Sequence, residues 1–230
     1  MNTRLNKRMV ELGLVSSRRK ADELIQTGGV KVNGSPVENL ATRVSEDDSV
    51  TLYGRSGKAK ANITIAFNKP VGYICTHRSQ RNGQKTIFDL LPLNFASLKI
   101  AGRLDKDSQG LMLLSSDGEL IQKVSHPSQG KSKTYSVHLD KKVDNDDLSK
   151  LLAGVKLADG MSKFAEARRI KPQIIRVVLT EGRNRQIRRS FEALGYKVIK
   201  LERTKIGNMT LGLLKPGEHR FIKPTEVLDA

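Results

Sequence analysis

The sequence predicts an α+β fold in two parts: a small N-terminal α/β unit, then a larger unit in which helices flank a mixed, largely antiparallel β-sheet. Three observations carry that prediction. Two short helical patterns followed by Gly-x-Val-x-Val-Asn-Gly fill the first 54 residues. The stretch Gly54–Asn62 has no apolar pattern and is dominated by small and basic residues, as linkers are. From Ile63 onward, short apolar runs alternate with helical segments. The expected division is therefore 1–54, a flexible basic linker at 55–62, and 63–230, which 230 residues can supply with proper cores. The linker predicts an N-terminal unit that moves independently.

In order along the chain, Leu5, Met9 and Leu12 recur at helical spacing, and Gly13 can end that helix. Ser16 or Ser17 caps a second helix whose apolar face is Ala21, Leu24 and Ile25, and Gly28-Gly29 stops it. Val30–Val32, Asn33-Gly34 and Ser35-Pro36-Val37 read as a strand and a tight turn, and Val50–Leu52 as a further strand. Ile63–Phe67 is a strand ended by Lys69-Pro70. Leu111–Leu114 reads as a buried strand. Tyr135, Val137 and Leu139 alternate along one more, and Ile175, Val177 and Leu179 along another. Asn184 can cap a helix running to Leu194, with Gly195 at its end.

Composition narrows the function classes. Lys and Arg number 41 against 24 Asp and Glu, a net charge of +17, which attracts a polyanion, with nucleic acid the default partner. Aromatic residues are only 4% and tryptophan is absent, which argues against single-strand binding on aromatic platforms. No apolar run approaches the roughly 18 residues that span a bilayer, and no apolar core of a secretory signal follows Met1–Arg4. Cys75 is the sole cysteine, which excludes an internal disulfide and a cysteine-built zinc site; it reads as a reduced structural thiol. The four histidines, His77, His126, His138 and His219, lack metal-ligand spacing. A cytoplasmic monomer without metal or cofactor is the expectation.

Four stretches carry chemistry. Arg18, Arg19 and Lys20 fall in the first turn of the second helix, where free backbone N–H groups already favour an anion, and Arg4, Lys7 and Arg8 lie on the helix before it. Such a run is equally a solvated charged face unless its context lifts it. In Gly102-Arg103-Leu104-Asp105-Lys106-Asp107-Ser108-Gln109-Gly110-Leu111, Asp105 leaves an apolar stretch at the start of a turn, where a carboxylate can act as a nucleophile or base, or simply hydrogen-bond its own turn. In Leu179–Arg189, a helix beginning after Asn184 buries Ile187, Phe191 and Leu194 and turns Arg185, Arg189 and Glu192 away. Arg188 then lies on the shoulder, from which it can reach a carboxylate or snorkel to solvent. In Lys131–Tyr135, Tyr135 shares a strand face with Val137 and Leu139 and so points to the core or a pocket.

The first 54 residues, through Arg4-Leu5-Asn6-Lys7, Ser17-Arg18-Arg19-Lys20-Ala21 and Gly29–Gly34, resemble an S4 RNA-binding domain. That resemblance implies binding of structured RNA through Arg4, Lys7, Arg18, Arg19 and Lys20, by shape and phosphate more than by sequence. The Gly102–Leu111 motif, Lys131–Tyr135 and Arg185-Gln186-Ile187-Arg188-Arg189, in this order, resemble the RsuA family of pseudouridine synthases across the chain from about Ile63. The resemblance implies that Asp105 is the catalytic aspartate. It implies that Tyr135 stacks on the target base and that Arg188 pairs with Asp105 and keeps it ionised. Leu179 supports the tyrosine from behind, and Arg103 contacts the RNA. It implies no cofactor: a uridine is extruded, detached at N1, turned over and rejoined through C5. Whether the aspartate acts at C1′, at C6 or as a base stays open.

The stretches Lys106–Gly110 and Lys200–Ile206 are most similar to the RluF type, which points to large-subunit (23S) ribosomal RNA; small-subunit RNA or tRNA is the alternative. A second basic patch, Arg183, Arg185, Arg188, Arg189, Lys197, Lys200, Arg203 and Lys205, with only Glu192 and Glu202 against it, is expected to face the RNA. Two rivals compete. A non-catalytic RNA-binding or ribosome-assembly protein explains the charge but not the Asp105, Tyr135 and Arg188 constellation. A metal-dependent hydrolase lacks a recognisable third ligand beside Asp105 and Asp107. A P-loop enzyme is set aside, since no Gly-x-x-x-x-Gly-Lys-Ser/Thr occurs.

Overall fold

The computed structural model describes residues 2–59, 61–77, 83–125 and 131–228. The chain forms two compact units, Met1–Asn62 and Ile63–Ala230. The N-terminal unit packs helices Leu5–Glu11 and Arg18–Gln26 on a four-stranded sheet in the order Ser35–Pro36, Val30–Val32, Val50–Leu52, Arg55–Ser56. Leu5, Met9, Ala21 and Ile25 are fully buried against Val30, Val44 and Val50, as their spacing requires. Ser17 is the cap of the second helix: its hydroxyl accepts the Lys20 N–H at 3.1 Å.

The apolar pattern misses the last strand of this unit. Arg55–Ser56 pairs with Thr51 and Leu52 although neither residue is apolar, because a two-residue turn at Tyr53 and Gly54, with φ of 47° and 77°, fixes the register through the backbone alone. The same device, Asn33 and Gly34 at 50° and 83°, closes the hairpin of Val32 and Ser35. Backbone pairing therefore runs into the stretch expected to be linker.

In the second unit the fold class is the one expected, α+β. Its mixed sheet runs Glu166–Lys171, Ile174–Leu179, Lys133–Leu139, Val198–Ile206, Gln109–Ser115, Thr64–Lys69 and His219–Phe221, with Met209–Thr210 and Lys99–Ala101 attached at the sides. Every pairing is antiparallel except that of Val198–Ile206 with Gln109–Ser115, where Arg203 lies opposite Gly110. Both faces of the central strands are covered, which is why Leu111–Leu114 is an unbroken apolar run. Ile65, Phe67, Met112 and Leu114 face one core, with Val137, Val177, Ile187 and Phe191. Ala66, Leu111 and Leu113 face the other, with Leu120, Val124 and Val227. Among the described residues, no helix is long and apolar enough to cross a membrane.

That parallel strand pairing depends on a glycine. Gly110 has a φ of +111°, and a Cβ there would stand 2.6 Å from the Arg203 nitrogen and against the Arg203 carbonyl oxygen. Backbone on both sides leaves nothing flexible to yield. Gly110→Ala is expected to cost about 3 kcal/mol or more and to lower the thermal midpoint by roughly 6–12 °C. A midpoint within 2 °C of wild type in scanning calorimetry would contradict that account.

Candidate active site

The Lys99–Ala101 strand ends at Gly102, whose φ of 73° turns the chain into the loop carrying Asp105. Leu104 is buried and anchors it, and the Ser108 N–H closes the turn on the Asp105 carbonyl at 3.1 Å. The remaining loop carbonyls are met from beneath. Lys69, the last residue of the Thr64–Lys69 strand, is fully buried and donates to the carbonyls of Pro70 at 3.0 Å, Asp105 at 3.0 Å and Ser108 at 2.7 Å. Those bonds engage all three ammonium protons. Burial pulls the Lys69 amine below its ordinary value, against the opposing negative charges of the site.

Two further donors complete the support. Arg203, 1% exposed, donates from Nε to Leu111 at 2.7 Å and from Nη2 to the Gly102 carbonyl at 3.2 Å. The Cys75 thiol donates to the Leu104 carbonyl at 3.2 Å, and burial pushes its pKa up, so it is an unreactive structural group. The Asp105 backbone is thus fixed while its carboxylate side chain stays 34% exposed.

The motif Arg183–Arg189 lies across from this loop. Its helix is Gln186–Ala193, and the N-cap is Arg185 in the left-handed region at φ 48°, not Asn184. The side chain that organises the turn is Gln186, whose Oε1 accepts the Arg183 N–H at 3.2 Å. The strained backbone at Arg185 swings its guanidinium onto two acids: it donates to both oxygens of Asp107 at 3.0 Å and lies 3.8 Å from the Asp105 carboxylate.

Arg188, expected to pair with Asp105, pairs instead with Asp107. Its Nε is 3.2 Å from that carboxylate, Nη2 donates to the Asp107 carbonyl at 2.8 Å, and Nη1 donates to Val198 at 2.9 Å. Its shoulder position is as expected, with only 12% of the side chain exposed, but it is committed to the rim of the loop, and Arg185 is the cation beside Asp105. Burial raises the Asp107 carboxyl, but the Arg185 hydrogen bonds and the Arg188 charge outweigh it and hold the group below its usual value.

Asp105, Arg103, Tyr135, Leu179 and Arg185 line one cleft of about 550 Å³, large enough for a nucleoside. Tyr135 is 8% exposed, and Leu179 lies opposite Lys133 on the neighbouring strand, so these apolar groups form one wall. Arg103 is exposed at the mouth. A carboxylate with a guanidinium 3.8 Å away, in a cleft that an aromatic ring also lines, can hold a flat base and act on it or on its sugar.

Arg189 is held by both oxygens of Asp159 at 2.8 Å, and Arg183 also reaches Asp159. The second basic patch is therefore not the uniform surface expected. Arg203 is buried in it, and Asp107 and Asp159, distant in sequence, pair with four of its arginines and offset half their charge. In the N-terminal unit, Arg4, Arg18, Arg19 and Lys20 are exposed. Lys7 is half-buried 3.6 Å from Glu11, and Glu23 pairs with Arg19 and Lys20. Sequence reasoning missed Lys69 and Asp159 and gave Asp107 and Arg203 other roles; a lysine next to Pro70 at the end of the Ile63–Phe67 apolar run was the one available signal.

The Asp107 assignment has a pH signature. Its folded pKa lies below the ordinary 3.8, so its contribution to stability is in place above that value and disappears as pH falls through the folded one. In urea denaturation, Asp107→Asn is expected to lose about 1 kcal/mol at pH 7, given the half-exposed pair. The gap to wild type should close below 3.8. A gap that stays constant down to pH 3 would show that the carboxylate charge is not its origin.

Among the described residues, no three His, Cys, Asp or Glu side chains gather as for a metal ion; His126 lies outside them. The model of the RNA pseudouridylate synthase family matches residues 63–193, and that of the S4 domain matches 3–50. An RNA pseudouridine synthase of Aquifex aeolicus (strain VF5) is 37% identical over 92% of this chain and 89% of that protein. The ribosomal large subunit pseudouridine synthase B of Bacillus subtilis (strain 168) is 36% identical over 97% and 93%. The dual-specificity RNA pseudouridine synthase RluF of Escherichia coli (strain K12) is 36% identical over 99% and 78%. A crystal structure of a pseudouridylate synthase superposes with a TM-score of 0.70 at 30% identity, covering 97% of each chain. With a partly exposed carboxylate in a cleft of nucleoside size and these relatives along almost its whole length, the chain belongs to the RNA pseudouridylate synthases, isomerases of uridine in RNA, and carries an S4 domain at its N-terminus.

Proposed function

We propose that this enzyme isomerises one uridine of large-subunit ribosomal RNA, with Asp105 as its catalytic carboxylate. The observation that carries the reading is the placement of Asp105: a backbone clamped by Lys69 from below, and an open carboxylate at the cleft with Arg185 at 3.8 Å. The large-subunit assignment is supported by the name of the Bacillus subtilis relative.

In this reading the target uridine leaves its RNA context and enters the cleft. Tyr135 and Leu179 bear on the ring, so the base keeps its place once the N1–C1′ bond has broken. Asp105 acts on the nucleoside with Arg185 beside it, and Arg188 acts at one remove by holding Asp107 and the helix. The base turns, C5 bonds to C1′, the C5 proton leaves and N1, freed from the sugar, gains one, so the product is an isomer and no external group is consumed. Arg103, Arg4, Lys7, Arg18, Arg19 and Lys20 meet the RNA backbone. Arg189 lends its charge to the same field while tied to Asp159.

The test is pseudouridine mapping of total RNA by carbodiimide adducts and primer-extension stops. It compares a strain lacking the gene with the same strain carrying wild type or Asp105→Asn. One large-subunit stop should vanish in the deletion and return with wild type only. A lost stop in small-subunit RNA or tRNA would overturn the substrate assignment. Rescue by Asp105→Asn would overturn the role of the carboxylate. No change at any site would favour a protein that binds RNA without modifying it.

A further inference from the structure

The cleft contains a cation that the mechanism above leaves idle. Lys133 stands two residues before Tyr135 on the same strand, so the two side chains share a face, roughly 7 Å apart along the strand, and both line the cleft. The Lys133 ammonium donates to one acceptor, the Lys131 carbonyl at 3.2 Å, whereas Lys69 engages three. Arg203 is its neighbour. The Lys133 Cε and the Arg203 Nη1 lie 4.0 Å and 3.8 Å from the same point beside Gly102. Among the described residues, neither cation forms an ion pair with a carboxylate. Burial lowers the Lys133 pKa, and the Arg203 charge lowers it further.

Two cations partly withdrawn from water and without a counter-charge are costly unless an anion joins them. A uracil carbonyl is neutral and would leave that charge uncompensated. A phosphodiester carries a full negative charge and several acceptor oxygens, and the spacing along the strand sets it one nucleoside's reach from a base lying on Tyr135. We propose that Lys133, backed by Arg203, seats the backbone phosphate adjacent to the extruded uridine. This rests on the proposed isomerase reading and adds the contact that places the nucleotide. Lys133 is thus a substrate-binding residue on the cleft wall, and the phosphate supplies the counter-charge that the two cations lack.

The experiment uses the full-length enzyme and an RNA oligonucleotide spanning the mapped uridine, with initial rates measured across a series of KCl concentrations. Lys133→Met is expected to raise KM on the order of tenfold with kcat within about twofold. The slope of log KM against log salt should fall by about 0.7 to 0.9, one phosphate contact. Lys133→Arg should restore most of both. An uncharged methylphosphonate at the phosphate 5′ or 3′ of the uridine should raise the wild-type KM by a similar factor at one of the two positions and leave Lys133→Met unaffected there.

An unchanged salt slope in Lys133→Met, an equal methylphosphonate penalty in both proteins, or a loss confined to kcat would each overturn the proposal. Should Lys133→Met not fold, the wild-type methylphosphonate series decides alone: no effect at either position overturns it. If the wild type isomerises no uridine in the oligonucleotide, the isomerase reading fails first, and that result is distinct from all of these.

Discussion

Beneath the loop that carries Asp105, one ammonium group without access to water meets three backbone carbonyls: Lys69 bonds Pro70, Asp105 and Ser108 at once. A buried charge of this kind costs several kcal/mol to desolvate and persists only when it is fully bonded. Charge-assisted bonds contribute about 1.5–3 kcal/mol each, so the loop and the lysine hold each other. The geometry of the site follows. With its carbonyl tied to the end of a central strand, Asp105 cannot retreat into the core, and its carboxylate is presented at a fixed height on the cleft. Arg203 applies the same logic one strand away, through Gly102 and Leu111, and its close approach to Gly110 makes the parallel strand pair possible.

The loop is held from above by charges of the opposite arrangement. Asp107 receives Arg185 and Arg188, and that fork orients the N-terminal end of the Gln186–Ala193 helix over the cleft. A guanidinium is suited to this because it bonds bidentately and stays charged while half-buried. The left-handed backbone at Arg185 is the cost of aiming one side chain at two carboxylates. Asp159 repeats the pattern on Arg183 and Arg189. The site is thus a carboxylate set among cations whose positions are fixed in advance, which limits reorganisation when a charged substrate arrives.

The large positive charge of the protein divides into two populations. Exposed cations such as Arg18, Arg19 and Arg103 contribute to a long-range positive field. Lys69, Arg203 and Lys133 are withdrawn from solvent beneath the loop or along the cleft wall and bond carbonyls rather than carboxylates. The first population acts through number and the second through position.

Much was legible in the residue order. Periodicity of apolar residues placed the strands and helices, because each element buries one face against its neighbour and so writes its period into the chain. Asp105, Tyr135 and Leu179 could be singled out because the motifs around them resemble a known family; local pattern alone allowed Asp105 to be a turn residue and Tyr135 a core residue. The partnerships could not be read. Arg185 meets Asp107 across 78 residues, and Arg203 reaches Gly102 across 101. No local period encodes which of two arginines three positions apart will face which of two aspartates two positions apart. Tertiary structure decided that Arg185 stands beside Asp105 and that Arg188 holds Asp107, because strand register and one left-handed residue set where each guanidinium ends. A sequence determines which groups a protein owns and which faces are buried; the pairing of charges depends on differences of a few ångströms that arise only once the sheet has closed.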